Sequence, residues 1–167
     1  MRAGLVWWGA VAAAVVLQAT LAPLLLPDAW RPDATRALVL WLALTGVPRG
    51  GPAAAAGAGL AVDLVSGGPL GLCAALRLLL YGAARPFRGV FFDDHPALLI
   101  PLALLGPLAD GVGVAALSHF LFPHPLPASV MGGLLARQAA VDLLIVPLLF
   151  LALEGATGRR PRHEVPA

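Results

Sequence analysis

The stretch Leu5–Leu26, LVWWGAVAAAVVLQATLAPLLL, carries no charge over its whole length. A helix rising 1.5 Å per residue over that length crosses a hydrocarbon core of about 30 Å. Arg2 precedes it and Ala19-Thr20-Leu21-Ala22 has a faint cleavage-site character, so a secretory signal is the competing reading. A signal core runs only about 7 to 15 residues, and here further apolar stretches follow. The sequence therefore predicts a retained membrane helix.

The rest of the chain agrees in composition. Of 167 residues 59% are apolar and 12% charged, with a mean hydropathy of +0.86. A soluble domain carries roughly twice that charge fraction. The 16 prolines and 19 glycines sit among Leu, Ala and Val, a setting in which membrane helices tolerate both. Cys73 stands alone, which excludes a disulfide framework and a cysteine metal site. Every basic side chain other than histidine is arginine. The net charge is only +2, with no basic stripe interleaved with aromatics, so nucleic-acid binding is not expected.

Working outward from the first stretch, the pattern predicts an all-α polytopic membrane bundle of about six transmembrane helices. One transmembrane domain, residues 1–155, holds spans at about 5–26, 34–47, 53–65, 70–84, 97–122 and 130–153, and 156–167 is a basic tail. Trp30, in the first loop, suits the headgroup belt. Pro48-Arg49-Gly50-Gly51-Pro52 and Ser66-Gly67-Gly68-Pro69 break the chain. Spans 34–47, 53–65 and 70–84 are shorter than the usual minimum of about 17 residues and must pack tightly or thin the bilayer. Asp94 and Pro96 suit a helix start, and Pro101 and Pro107 are expected to kink the fifth span.

The arginines orient the bundle. Arg2, Arg49, Arg85, Arg88, Arg159, Arg160 and Arg162 fall on one side, Arg31 and Arg36 on the other. The positive-inside rule then places both termini in the cytoplasm. No internal repeat is evident, which disfavours an inverted-repeat transporter.

Several groups stand out. Ala53, Gly57 and Ala61 give a small-residue face on the third span, suited to close helix packing within the chain or with a partner. Asp63, Asp110 and Asp142 lie in or near spans three, five and six; Arg77 and Arg137 lie in four and six. A charge in mid-bilayer costs about 2.5 to 3.5 kcal/mol on insertion scales, so each needs a partner, a proton or water. Pairing across helices, an ion relay and partner docking all remain open. Gln18 suits an interhelical hydrogen bond. His119 and His124 lack the carboxylate or cysteine spacing of a metal site, and Ser118 and Ser129 lack a nucleophile elbow. No catalytic, cofactor-binding or metal-ligating residue is expected.

Four segments together carry a family resemblance. Leu17-Gln18-Ala19-Thr20-Leu21-Ala22-Pro23 ends the first span and Arg31-Pro32-Asp33 opens the second. Gly57-Ala58-Gly59-Leu60-Ala61-Val62-Asp63-Leu64-Val65-Ser66-Gly67-Gly68-Pro69-Leu70-Gly71 forms a glycine-rich helix, an aspartate and a glycine turn. Pro147-Leu148-Leu149-Phe150 comes late in the last span. The pattern resembles the rod-shape-determining MreD family over nearly the whole chain. Arg77, Asp110 and Asp142 depart from it or match no motif of it.

The resemblance implies a non-enzymatic subunit of the bacterial inner membrane that binds the single-span protein MreC. Such a subunit supports lateral peptidoglycan synthesis and rod shape, linking MreB filaments to the glycan polymerase and transpeptidase. It also implies docking or helix-packing roles for Asp63, Gly67, Gly68 and Pro69. The family's fold resembles the six-helix substrate-binding subunit of energy-coupling-factor transporters. A vitamin-binding subunit of that kind is the alternative, and requires an outer cavity closed by the loop after the first span. A membrane enzyme would need the buried charges to converge in a wet cleft.

Overall fold

The structure, a computed structural model, describes residues 2–21, 24, 27, 30–46, 50–67, 69–88, 99–121 and 128–157. The described residues form helices joined by turns, with no strand among them. In chain order these are α1 (Arg2–Val16), α2 (Ala34–Thr45), α3 (Gly51–Ser66), α4 (Leu72–Ala84), α5 (Leu99–Leu121) and α6 (Ala128–Thr157). Asp94, Pro96, His124 and the tail arginines lie outside the described residues, as does the side chain of His119.

The helix α2 is the axis of the bundle. All its residues are buried, and it touches each of the other five helices. Its start is set by Asp33, whose carboxylate accepts from the Arg36 backbone N–H at 3.2 Å as an N-cap. Its end is set by Gly46, at φ 67°, whose N–H donates to the Leu42 carbonyl at 2.8 Å. Leu38, Val39, Leu40 and Leu42 are fully enclosed, and Trp41 stacks on Trp7 of α1 with centroids 6.2 Å apart.

The helices α3 and α4 form a tight hairpin. Pro52 stands in the first turn of α3, where the missing N–H breaks no helical bond, so this proline begins the helix it was expected to precede. Gly59 lies against the backbone of α4: a Cβ there would overlap the Cys73 carbonyl and the Ala74 backbone. Gly67 (φ 69°) and Gly71 (φ 93°) take left-handed conformations that reverse the chain between the helices.

Two further expectations are modified. The first apolar stretch is not one uniform helix: α1 ends at Val16 and passes into a π-helical turn, Leu17–Leu21. Pro101 falls in the first turn of α5, leaving Pro107 as the interior proline.

One stretch, the 25 residues Gly132–Ala156 within α6, is long and apolar enough to cross a membrane. Gly4–Thr20, Ala34–Thr45, Gly51–Ser66 and Ala103–Ala116 are shorter apolar helices. The outside of the bundle is strongly apolar. Leu64, Leu108, Val112, Leu144, Leu148 and Leu151 are each more than half exposed.

Candidate functional site: a buried ion cluster

The most polar part of the molecule is in its interior. Five charges from α2, α4, α5, α6 and the turn before α2 meet around the first turn of α2. Arg36 is 2% exposed and donates to two aspartates on different helices. Its Nε meets Asp110 Oδ2 at 2.9 Å and its Nη1 meets Asp142 Oδ2 at 2.5 Å. Arg77, also 2% exposed, donates from Nη1 to both oxygens of Asp110, at 2.8 and 3.0 Å. Its Nη2 is bonded to Asp33 Oδ2. Asp110 thus bridges the two guanidiniums; Arg77 meets two carboxylates, and Arg36 meets two closely and Asp33 at 3.6 Å.

Neutral dipoles complete the shell. Thr35 Oγ donates to Asp33 Oδ1 at 2.6 Å, and Gln18 Nε2 donates to the same oxygen at 3.1 Å and to the Pro32 carbonyl at 3.0 Å. Gln138 Oε1 accepts a long contact of 3.4 Å from Arg36. The aliphatic stem of Arg36 lies against Gly106 of α5, where a Cβ would overlap it. Burial pushes the Asp33 carboxyl upward, but the Arg77 and Arg36 guanidiniums outweigh it and hold this group well below the usual carboxylate range. Three carboxylates against two guanidiniums leave one formal negative charge in excess. Most of these donors and acceptors bond one another, which ties α2, α4, α5 and α6 together. Among the described residues no group of histidine, cysteine or acidic side chains is arranged to hold a metal ion.

The pairing of Arg77 with Asp110, and the burial of Asp142, realise the cross-helix option for these charges. Arg36, counted among the loop arginines, is the third residue of α2 and is buried with the rest of that helix. Arg137 is in the long apolar stretch of α6, on an exposed face and outside the cluster. Asp142 takes its cation from α2, not from its own helix. Gln18 does make an interhelical hydrogen bond, from the π-turn to the entry of α2. Sequence reasoning did not single out Thr35, Asp33 or Arg36 as site residues. The available signal was an Asp-x-x-Arg pair at a helix start, facing intramembrane charges of both signs.

Asp63 is separate from this cluster. It is 2% exposed, and its two oxygens accept from the backbone N–H groups of Gly71 (2.9 Å), Cys73 (2.9 Å) and Ala74 (3.2 Å). A carboxylate from α3 therefore caps the otherwise unpaired N–H groups that open α4. Gly67 and Pro69 shape the intervening turn; Gly68 is outside the described residues. Gly57 meets Trp8 of α1, Ala61 packs on the core, and Ala53 is exposed. These residues are engaged within the chain, with Ala53 the exception.

Replacing Asp63 by alanine leaves three N–H donors at a buried helix start. The expected loss is about 2–3 kcal/mol, with a smaller loss for Asp63→Asn, which keeps one acceptor oxygen. Thermal unfolding of the purified variants in mild detergent measures both.

No family model matches this chain, and no curated protein or solved structure matches it.

Proposed function

We propose that the chain is a multi-pass integral membrane protein with a structural and interaction role, of the kind the MreD family performs in the bacterial cell-elongation complex. The observation that carries the membrane part is the inverted arrangement of polarity. Charges from four helices and the turn before α2 are gathered inside, while large aliphatic side chains cover the outside. In water the reverse is favoured; in hydrocarbon, charges must be enclosed and paired and apolar surface costs nothing.

All six helices take part in this reading. α2 and α4 rise only about 18 and 20 Å, below the hydrocarbon thickness. α2, however, is sheathed by its neighbours and meets no lipid, so the mismatch falls on protein contacts. The arginine bias between the two sides is what supports a cytoplasmic N- and C-terminus in this reading.

The interaction role rests on the family resemblance, and the structural role is supported by two of the segments that carry it. Arg31-Pro32-Asp33 supplies one of the three carboxylates of the central cluster, and the glycine-rich segment supplies the Asp63 cap and the close α3–α4 contact. A non-catalytic role accords with charges consumed in mutual pairing. The partner in this reading is MreC, and through it the glycan polymerase, transpeptidase and MreB. The vitamin-binding alternative calls for an outer cavity closed by the loop after the first span, and a cavity of about 330 Å³ lined in part by Arg31 of that loop keeps this second reading in play.

Deletion of the gene in a rod-shaped host is expected to give round cells, and affinity purification of the tagged chain to recover MreC. Rods of normal shape after clean deletion, in a host without a second copy, overturn this function. A small vitamin retained through purification favours the alternative.

A further inference from the structure

Next to the ion cluster the described residues line a cavity of about 330 Å³. It is partly open and lined by Val15, Gln18 and Ala19 of α1 and its π-turn, by Arg31, and by Val62, Val65 and Ser66 of α3. These positions share one end of the bundle: the exit of α1, the entry of α2 and the exit of α3. Its wall is chemically divided. Val15, Ala19, Val62 and Val65 are apolar, whereas Arg31, Gln18 and Ser66 present a cation, an amide and a hydroxyl.

Gln18 belongs to the π-helical turn, an irregularity that is frequent at functional sites. Its Nε2 is committed to Pro32 and Asp33, which fixes the orientation of the amide. Its Oε1 is buried and has no hydrogen-bond donor among the described residues. The apolar wall is continuous with exposed apolar surface, since Val65 is 53% and Val16 60% exposed. Trp30, 46% exposed, stands beside Arg31.

We propose that this cavity binds the headgroup of an anionic, hydroxyl-bearing phospholipid, with its phosphate at Arg31 and one acyl chain along Val62 and Val65. The inference rests on the multi-pass membrane reading above, in which this end of the bundle lies at the outer surface. Arginine supplies the charge that the phosphate needs. A headgroup hydroxyl supplies the donor that Gln18 Oε1 lacks. The valines and the adjoining aliphatic surface continue into the hydrocarbon, where a chain belongs and a water-soluble phosphate does not. Through Gln18 the lipid would touch the group that holds Asp33, so its presence steadies the entry of α2.

The test uses the full chain, purified in detergent and offered phosphatidylglycerol and phosphatidylcholine in mixed micelles, with bound lipid counted by native mass spectrometry. The chain is expected to enrich phosphatidylglycerol over its offered fraction. Arg31→Gln is expected to lower that retention about fivefold, the effect of removing one arginine from an anionic surface. Val62→Trp, which fills the cavity, is expected to lower it as well, while Arg137→Gln leaves it unchanged. Equal retention of both lipids, full retention by Arg31→Gln, or an equal loss in Arg137→Gln overturns the proposal. Displacement of bound lipid by millimolar inorganic phosphate assigns the cavity to free phosphate and also overturns it. Release of the chain from membranes by alkaline carbonate defeats the membrane reading itself, an outcome separate from a failure of lipid selection.

Discussion

Arg77→Met is expected to lower the stability of the bundle by about 3–5 kcal/mol, the range for breaking a buried ion pair by removing one partner. Methionine replaces the apolar stem of arginine and stops short of the guanidinium, so the packing along the stem is kept while the ion pairs are lost. The loss comes from Asp110 and Asp33, both of which use Arg77 as a cation. Asp110 retains Arg36, but Arg36 must then serve three carboxylates. Arg77→Lys is expected to recover only part of the stability, because one ammonium cannot reproduce the fork that meets Asp33 and both oxygens of Asp110. Unfolding midpoints in a mixed-micelle titration measure these differences. A fully stable Arg77→Met protein would show that the cluster contributes nothing to holding α4.

The second large effect concerns Arg36 and Asp142. Arg36→Met strands Asp142, which is 2% exposed and takes a 2.5 Å bond from this arginine. A loss of about 3–5 kcal/mol is expected again. The informative variant is the double substitution Arg36→Met with Asp142→Leu. Removing both members of a buried pair leaves no stranded charge, so the double variant is expected to be more stable than Arg36→Met alone by about 1–3 kcal/mol. Arg77 then serves Asp33 and Asp110. A double variant less stable than either single one would mean that Asp142 has further support beyond Arg36.

These pairings show where sequence reasoning reaches and where it stops. The helices could be read because apolar runs and glycine-proline breaks are local signals: α2, α3 and α4 occur where the breaks at Pro48–Pro52 and Ser66–Pro69 place them. Likewise, Asp63 stands visibly next to a glycine turn. That its oxygens reach three N–H groups of α4 depends on the left-handed Gly67 and Gly71, which fold the start of α4 back onto α3. The ion cluster depends on contacts between residues 33 and 142, and no spacing rule covers such separations. Arg36 stands at the start of its span and was counted with the loop; its burial follows from the central place of α2, which no local signal reports. Arg137 lies in an apolar stretch, but which face of α6 it occupies follows from packing that periodicity does not report. The apolar residues of α5 and α6 surround each helix, so apart from Asp110 and Asp142 their sequences give little indication of which face is inward.

The central position of α2 also bears on how the chain is made. A nascent chain that has completed α4 contains Asp33, Arg36 and Arg77, one negative charge against two positive. Asp110 and Asp142 reverse that balance only when α5 and α6 emerge. Until then the middle helix holds a surplus cation with no acceptor on any neighbour except its own cap. The first four helices are thus an incomplete set that must wait, shielded, for the last two. A chain cut after α4 is therefore expected to carry an unpaired cation at the place where the complete bundle has its most enclosed anions.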